Sequence, residues 1–171
     1  EATPEKPLEH HYADFDNNGS IDPIFSSYEN GTSWPLASLD QLTRQLPMVK
    51  KSMLHYRDYA RTNSADLLRL IGKTSWKTLT CRVLASSFIE NSGNGAFSIS
   101  ALPVSAQFAP VNGMLAEDVN LDGNVDLILV GNQYDGDVVN GRYDASIGTV
   151  LINSGNNTFT SLKQAEHSFV V

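Results

Sequence analysis

Two nine-residue stretches of this chain carry side-chain oxygens at a spacing suited to a hard cation. One is Asp118-Val119-Asn120-Leu121-Asp122-Gly123-Asn124-Val125-Asp126; the other is Asp14-Phe15-Asp16-Asn17-Asn18-Gly19-Ser20-Ile21-Asp22. Each has Asp or Asn at loop positions 1, 3, 5 and 9 and glycine at position 6. Ca2+ takes six to eight oxygens, and a short loop supplies them only if alternate residues point at one centre. The glycine permits the sharp turn that returns positions 5 and 9 to that centre. Position 7, Ser20 or Asn124, is placed to offer its backbone carbonyl. The spacing therefore predicts two Ca2+ sites, one from Asp14, Asp16, Asn18, Ser20 and Asp22, the other from Asp118, Asn120, Asp122, Asn124 and Asp126. The competing explanation is a solvated turn, since Asp, Asn and Gly also favour turns through local hydrogen bonds. Turn chemistry does not demand carboxylates at both 1 and 9.

These loops are not EF-hands, which close with Glu at position 12 between two helices. Position 12 is Phe25 in the first and Leu129 in the second, and an apolar β-type run follows each. The ion is expected at the entrance to a strand. His10 to Ala13 reads as a short strand into the first loop. Its adjacent histidines face opposite ways and are read as incidental, not as a metal pair. Ile24 to Tyr28 is a second strand, and Glu29-Asn30-Gly31-Thr32 a turn.

The period then changes from two to between three and four. Ser38 is placed to cap a helix, with Gln41 at the capping-box position and Leu39, Leu42 and Leu46 along one face. Pro47 opens a second helix carrying Val49, Met53, Tyr56 and Ala60. Ser64 caps a third, Ala65 to Ile71, which ends at Gly72. From Lys77 the strand pattern returns. Asn91 to Phe97 reads as a hairpin, and a similar unit recurs at Asn153 to Phe159, which suggests repeated β-modules. The loop-to-hairpin interval is longer in the first case by close to the length of the stretch from Leu36 to Lys77. The first module is thus expected to be the second with a helical insertion, 36–76, lying as a layer on its rim. Strands are expected in 9–35 and 77–171.

At 171 residues the chain most simply forms one domain. Its 41% hydrophobic and 18% charged residues suit a soluble globular protein, with no apolar window long enough for a membrane span. Cys81 is alone, so no intrachain disulfide framework exists. The chain opens at Glu1 without an apolar leader and reads as mature protein or as part of a longer one. Nine of the twelve Lys and Arg residues lie between Arg44 and Arg82, leaving a basic stretch in a chain of net charge -7.

The D-x-[DN]-x-[DN]-G-x-x-D loop before an apolar strand, with an N-x-G-x-G-x-F hairpin, resembles FG-GAP/VCBS repeats. The run from Leu102 to Gly113, with Arg142-Tyr143-Asp144-Ala145-Ser146-Ile147-Gly148, is similar to bacterial secreted relatives of cartilage acidic protein, the ASPIC/UnbV group. The resemblance implies a mainly β fold of about two propeller-type blades, part of a larger propeller, because closure takes at least about four blades. It implies the same two ligand sets for Ca2+. It also implies a secreted, periplasmic or cell-surface location in a bacterial envelope. The expected function is a non-enzymatic, calcium-stabilised scaffold or binding module, with protein, glycan or the rest of its own propeller as partner.

Two other functional classes compete with this one. An enzyme has little support: Gly72-Lys73-Thr74-Ser75 resembles the end of a phosphate-binding loop but lacks the earlier glycine and follows a helix. A non-catalytic part of a larger hydrolase remains an alternative. Nucleic-acid or polyanion binding would use Lys50, Lys51, Arg57 and Arg61 with Tyr56 and Tyr59 interleaved. A solvated basic face is the favoured reading of that segment, because charge alone supports only non-specific attraction.

Overall fold

The computed structural model describes residues 2–136 and 141–170. The chain is mainly β, with 34% of residues in strands and 19% in helices, and its antiparallel sheets are open. Two compact units form where length predicted one domain: Glu1–Leu84 and Ala85–Val171.

In the first unit the strands are β1 (Leu8–Ala13), β2 (Asp22–Glu29) and β3 (Thr32–Pro35). The β2–β3 turn is Asn30-Gly31, with φ of 49° and 81°, the paired positive values of a two-residue hairpin turn. Then come α1 (Leu39–Gln45), a 3-10 turn (Pro47–Lys51), α2 (Tyr56–Tyr59), α3 (Ser64–Ile71) and β4 (Lys77–Cys81). The strand order is β3-β2-β1-β4. The helices thus carry the chain from one edge of the sheet to the other.

Alternation along the strands makes two faces. His11 lies opposite Ile24 and Thr78, and Glu9 opposite Ser26 and Thr80. Buried Ile24 and Phe15 join Leu39, Leu42, Leu46, Val49, Met53, Leu67 and Leu68 in one core. The helical stretch therefore supplies most of this unit's core and is not a layer on a rim. Its apolar stripe needs a surface to bury against, and the sheet provides one.

Local signals set most helix ends. Ser38 Oγ accepts from Gln41 N at 3.2 Å, while Gln41 Oε1 accepts from Ser38 N at 2.8 Å. The third helix starts one residue earlier than expected. Asn63 is its cap, accepting from Asp66 N at 2.9 Å, and Ser64 is buried in the first turn. Gly72 ends it at φ 76°. The expected second helix breaks in two. The Val49 carbonyl accepts from both Ser52 and Met53, and the buried stripe stops at Met53 because Leu54, His55 and Tyr56 are exposed.

The second unit contains β5 (Ser87–Gly93), β6 (Ala96–Ala101), a 3-10 turn (Val104–Gln107), β7 (Gly113–Glu117), β8 (Asp126–Val130), β9 (Thr149–Asn153), β10 (Phe159–Ser161) and α4 (Gln164–His167). Strands β7 to β10 form a meander, and β5–β6 a hairpin sheet of their own. Ala106, Leu127, Leu129 and Leu151 make the core, with Leu102 and Phe159 packed against it. Gln107 holds the 3-10 turn in place, bonding Ser86 N, Ser86 O and Leu102 O.

Both expected hairpins form, yet they do not close equivalent modules. Asn91 to Phe97 belongs to the two-stranded sheet of the second unit, whereas the first loop's sheet is completed by β4. The helical stretch lies between β3 and β4. Strand pairing across β1, which no local spacing encodes, decides this.

Candidate metal centre

The two acidic loops fold alike. The first joins β1 to β2 and the second joins β7 to β8. At position 9, Asp22 Oδ2 accepts from Phe15 N at 2.8 Å and Asp126 Oδ2 from Val119 N at 3.1 Å. At position 1, Asp14 accepts from Asn18 N at 2.9 Å and Gly19 N at 3.0 Å; Asp118 accepts from Asp122 N at 3.1 Å and Gly123 N at 2.8 Å. Position 3 accepts from the amide of position 5 in both, and position 5 from that of position 7. Backbone φ is positive at position 4 (Asn17 61°, Leu121 62°) and at position 6 (Gly19 and Gly123, both 89°). Four backbone amides, making five hydrogen bonds because that of position 5 donates twice, thus orient four side chains in each loop. An ionised carboxylate has about four acceptor sites, so these bonds orient it and leave capacity for a cation.

The loops differ in how far their carboxylates converge. Asp14, Asp16 and Asp22 each bring one oxygen within 4.8 Å of the others, a cluster that could hold a metal ion. Among the described residues the carboxylates of Asp118, Asp122 and Asp126 form no such group. In the second loop position 3 is Asn120, and the third carboxylate falls to Asp122. Both Asp122 oxygens are engaged: Oδ1 accepts from Asn124 N and Nδ2 at 2.8 and 2.9 Å, and Oδ2 from Asn120 Nδ2 at 2.8 Å. The Asn124 backbone bond, then the Asn120 side chain, holds its pKa below the usual carboxylate value. In the first loop Asn18 Nδ2 likewise donates to Asp16 Oδ2 at 3.0 Å, so a cation entering either loop must displace a side-chain amide; the first loop differs in that its three carboxylates are already gathered.

Of the other ligand candidates, Asn18 Oδ1 accepts from Ser20 N at 2.7 Å in the first loop, and Asn124 donates through its side chain to Asp122 in the second. Asp22 and Asp126 are buried, while the tips are exposed. Asp126 also fastens the loop to its sheet, its Oδ1 accepting from Asn153 N at 2.8 Å. The first loop is tied to the helical stretch instead, through Lys73 Nζ donating to Asn17 Oδ1 at 2.6 Å. No local spacing signals that contact, which joins a loop tip to the residue after a helix C-cap.

His10 and His11 do face opposite ways. His10 stacks on Phe25 with ring centroids 4.4 Å apart, and His11 is buried beneath the helices, its Nδ1 2.9 Å from Thr78 Oγ1. In the basic stretch Lys50, Lys51, Arg57 and Arg61 are exposed. Tyr59 is not available for stacking: it is packed against the core and donates to the Ala37 carbonyl, and burial raises its pKa to about 12. Tyr56 remains exposed and donates to Asp40 at 2.8 Å.

Among the described residues no helix is long and apolar enough to cross a membrane. Comparison with protein-family models, curated proteins and solved structures gives no match for this chain.

Proposed function

We propose that this chain is a calcium-stabilised, non-enzymatic scaffold or binding module of a secreted or cell-surface protein, built on FG-GAP/VCBS-like β-modules. The observation that carries the reading is the shared hydrogen-bond scheme of the two loops, down to the same positive φ at positions 4 and 6. Unrelated turns need not agree at five bonds. Three carboxylates held together repel one another, and a divalent cation offsets that repulsion. Such exposed loops suit weak sites of about 10⁻⁴–10⁻³ M, the range of extracellular modules. The first loop is the stronger candidate, because its three carboxylates are already gathered.

Missing neighbours also support a module within a larger assembly. The face of the first sheet away from the helices carries Phe25 and Leu79, both substantially exposed, and β6 and β7 carry exposed Phe97, Ile99, Met114 and Leu115. Single exposed hydrophobics are ordinary, but runs of them on strands mark surfaces that pair or pack elsewhere. Further blades of a longer chain, or a protein or glycan partner, are the proposed occupants.

The test is thermal unfolding with and without excess chelator, followed by back-titration with Ca2+ and with Mg2+. A fall in Tm restored by Ca2+ and not by Mg2+ is expected. Identical melting curves in chelator and in calcium would overturn the metal reading.

A further inference from the structure

A second convergence of polar groups lies on the helix-covered face of the first sheet, away from the acidic loop. Between that face and α3 is an open cavity of about 580 Å³, within the usual range for small-molecule sites of about 300–1,000 Å³. Its floor is built around Glu9. Ser33 Oγ donates to Glu9 Oε2 at 2.7 Å, Tyr28 OH approaches Oε1 at 3.5 Å, and Ser64 Oγ lies 3.2 Å from Ser33 Oγ. Trp76, 40% exposed, forms a wall with Leu68, and Arg69 and Lys73 stand at the mouth.

Folding alone does not account for this arrangement. The His11 side chain is 8% exposed, and its Nε2 has no hydrogen-bond partner, facing Glu9 Oε2 at 3.6 Å. A buried polar atom without a hydrogen bond is costly and calls for an explanation, of which a site awaiting a ligand is one. Burial also lowers the His11 pKa, outweighing the opposite pull of Glu9. Glu9 therefore faces a neutral ring and keeps its own acceptor capacity.

The chemistry of the walls selects the ligand. An occupant must donate to Glu9, accept from the N–H groups that Arg69 and Lys73 still have spare, and lay an apolar face on the indole. A phosphate or other strong anion is disfavoured, because Glu9 repels it while Arg69 is already paired with Asp66 and Lys73 donates to Asn17. A purely apolar ligand would strip water from Glu9 without replacing it. A metal ion would find one carboxylate where it needs several oxygens. Vicinal hydroxyls both donate and accept, and a pyranose ring presents a C–H face to an indole. We propose that this cleft binds a single pyranose unit of a glycan.

The proposal rests on the reading of the chain as a binding module but not on its metal loops. The full chain, with Trp34→Phe to isolate the Trp76 signal, is titrated with methyl pyranosides of glucose, galactose, mannose and N-acetylglucosamine, in calcium and in chelator. Trp76 fluorescence should change saturably with at least one of them. Glu9→Gln should weaken that binding by about tenfold or more, the contribution of one charge-assisted hydrogen bond. Ser33→Ala, a milder change at the same carboxylate, should weaken it less, with circular dichroism verifying the fold of each variant. No saturable change with any sugar, or a change that Glu9→Gln and Ser33→Ala both leave intact, would overturn the assignment. So would preferential binding of glycine or another zwitterion. Loss of the calcium response with sugar binding retained would refute the metal reading alone.

Discussion

Asp126 separates a turn-forming role from a metal-binding one. It is fully buried and accepts from two backbone amides, Val119 N and Asn153 N. Asp126→Ala leaves both donors without a partner, at about 1–3 kcal/mol each, so urea unfolding should show a large loss even in calcium-free buffer. Asp126→Asn keeps an acceptor for one of the two amides, sets its NH2 against the other, and removes the charge. It should still lose stability without calcium, though less than Asp126→Ala, and abolish the calcium increment of the second loop. Equal calcium responses in wild type and Asp126→Asn would make this residue purely structural. His11 gives a pH prediction. Its folded pKa lies below the ordinary 6.5, so the folded state binds fewer protons than the unfolded one between the two values. Stability should therefore be fully present above about pH 6.5 and fall as pH drops through that window. His11→Gln should flatten that limb of a pH–stability curve.

Among the elements, α1 and the acidic loops owe their shape to different causes. The α1 capping box is local, and Ser38→Ala should cost about 1 kcal/mol by urea titration, with no effect on any calcium response. The loops depend on backbone conformation. At Gly123, φ is +89° with open space where a Cβ would stand, so Gly123→Ala should cost about 1–2 kcal/mol from conformation and not from clash. Its signature should be a weakened calcium increment, since the amide of residue 123 aims Asp118. Strong local signals made these features legible in the sequence: an Asn-Gly turn, a Ser-x-x-Gln cap, an Asp/Asn/Gly loop. The second helix was not legible. Its apolar spacing continued through Tyr56 and Ala60, but the core to receive that stripe ends at Met53.

For the whole molecule, calcium at about a hundred times its Kd should add about 2.7 kcal/mol per site. In units of this size each kcal/mol moves Tm by about 4–8 °C, so chelation should be plainly visible. Hydrogen exchange should localise it: Asp14→Ala should reduce protection in β1 and β2, and Asp118→Ala in β7 and β8. The amino-acid order by itself determined the strands, the capped helices and both acidic loops, because each rests on residues a few positions apart. Tertiary structure alone decided that β4 pairs with β1, that the helices fill the core of the first unit, and that the Asn91 hairpin belongs to the second. It also decided that Glu9, Ser33 and Ser64 meet, and that the two loops differ in convergence. These outcomes depend on which distant surfaces bury one another and where a side-chain amide turns, and neither is written in local spacing.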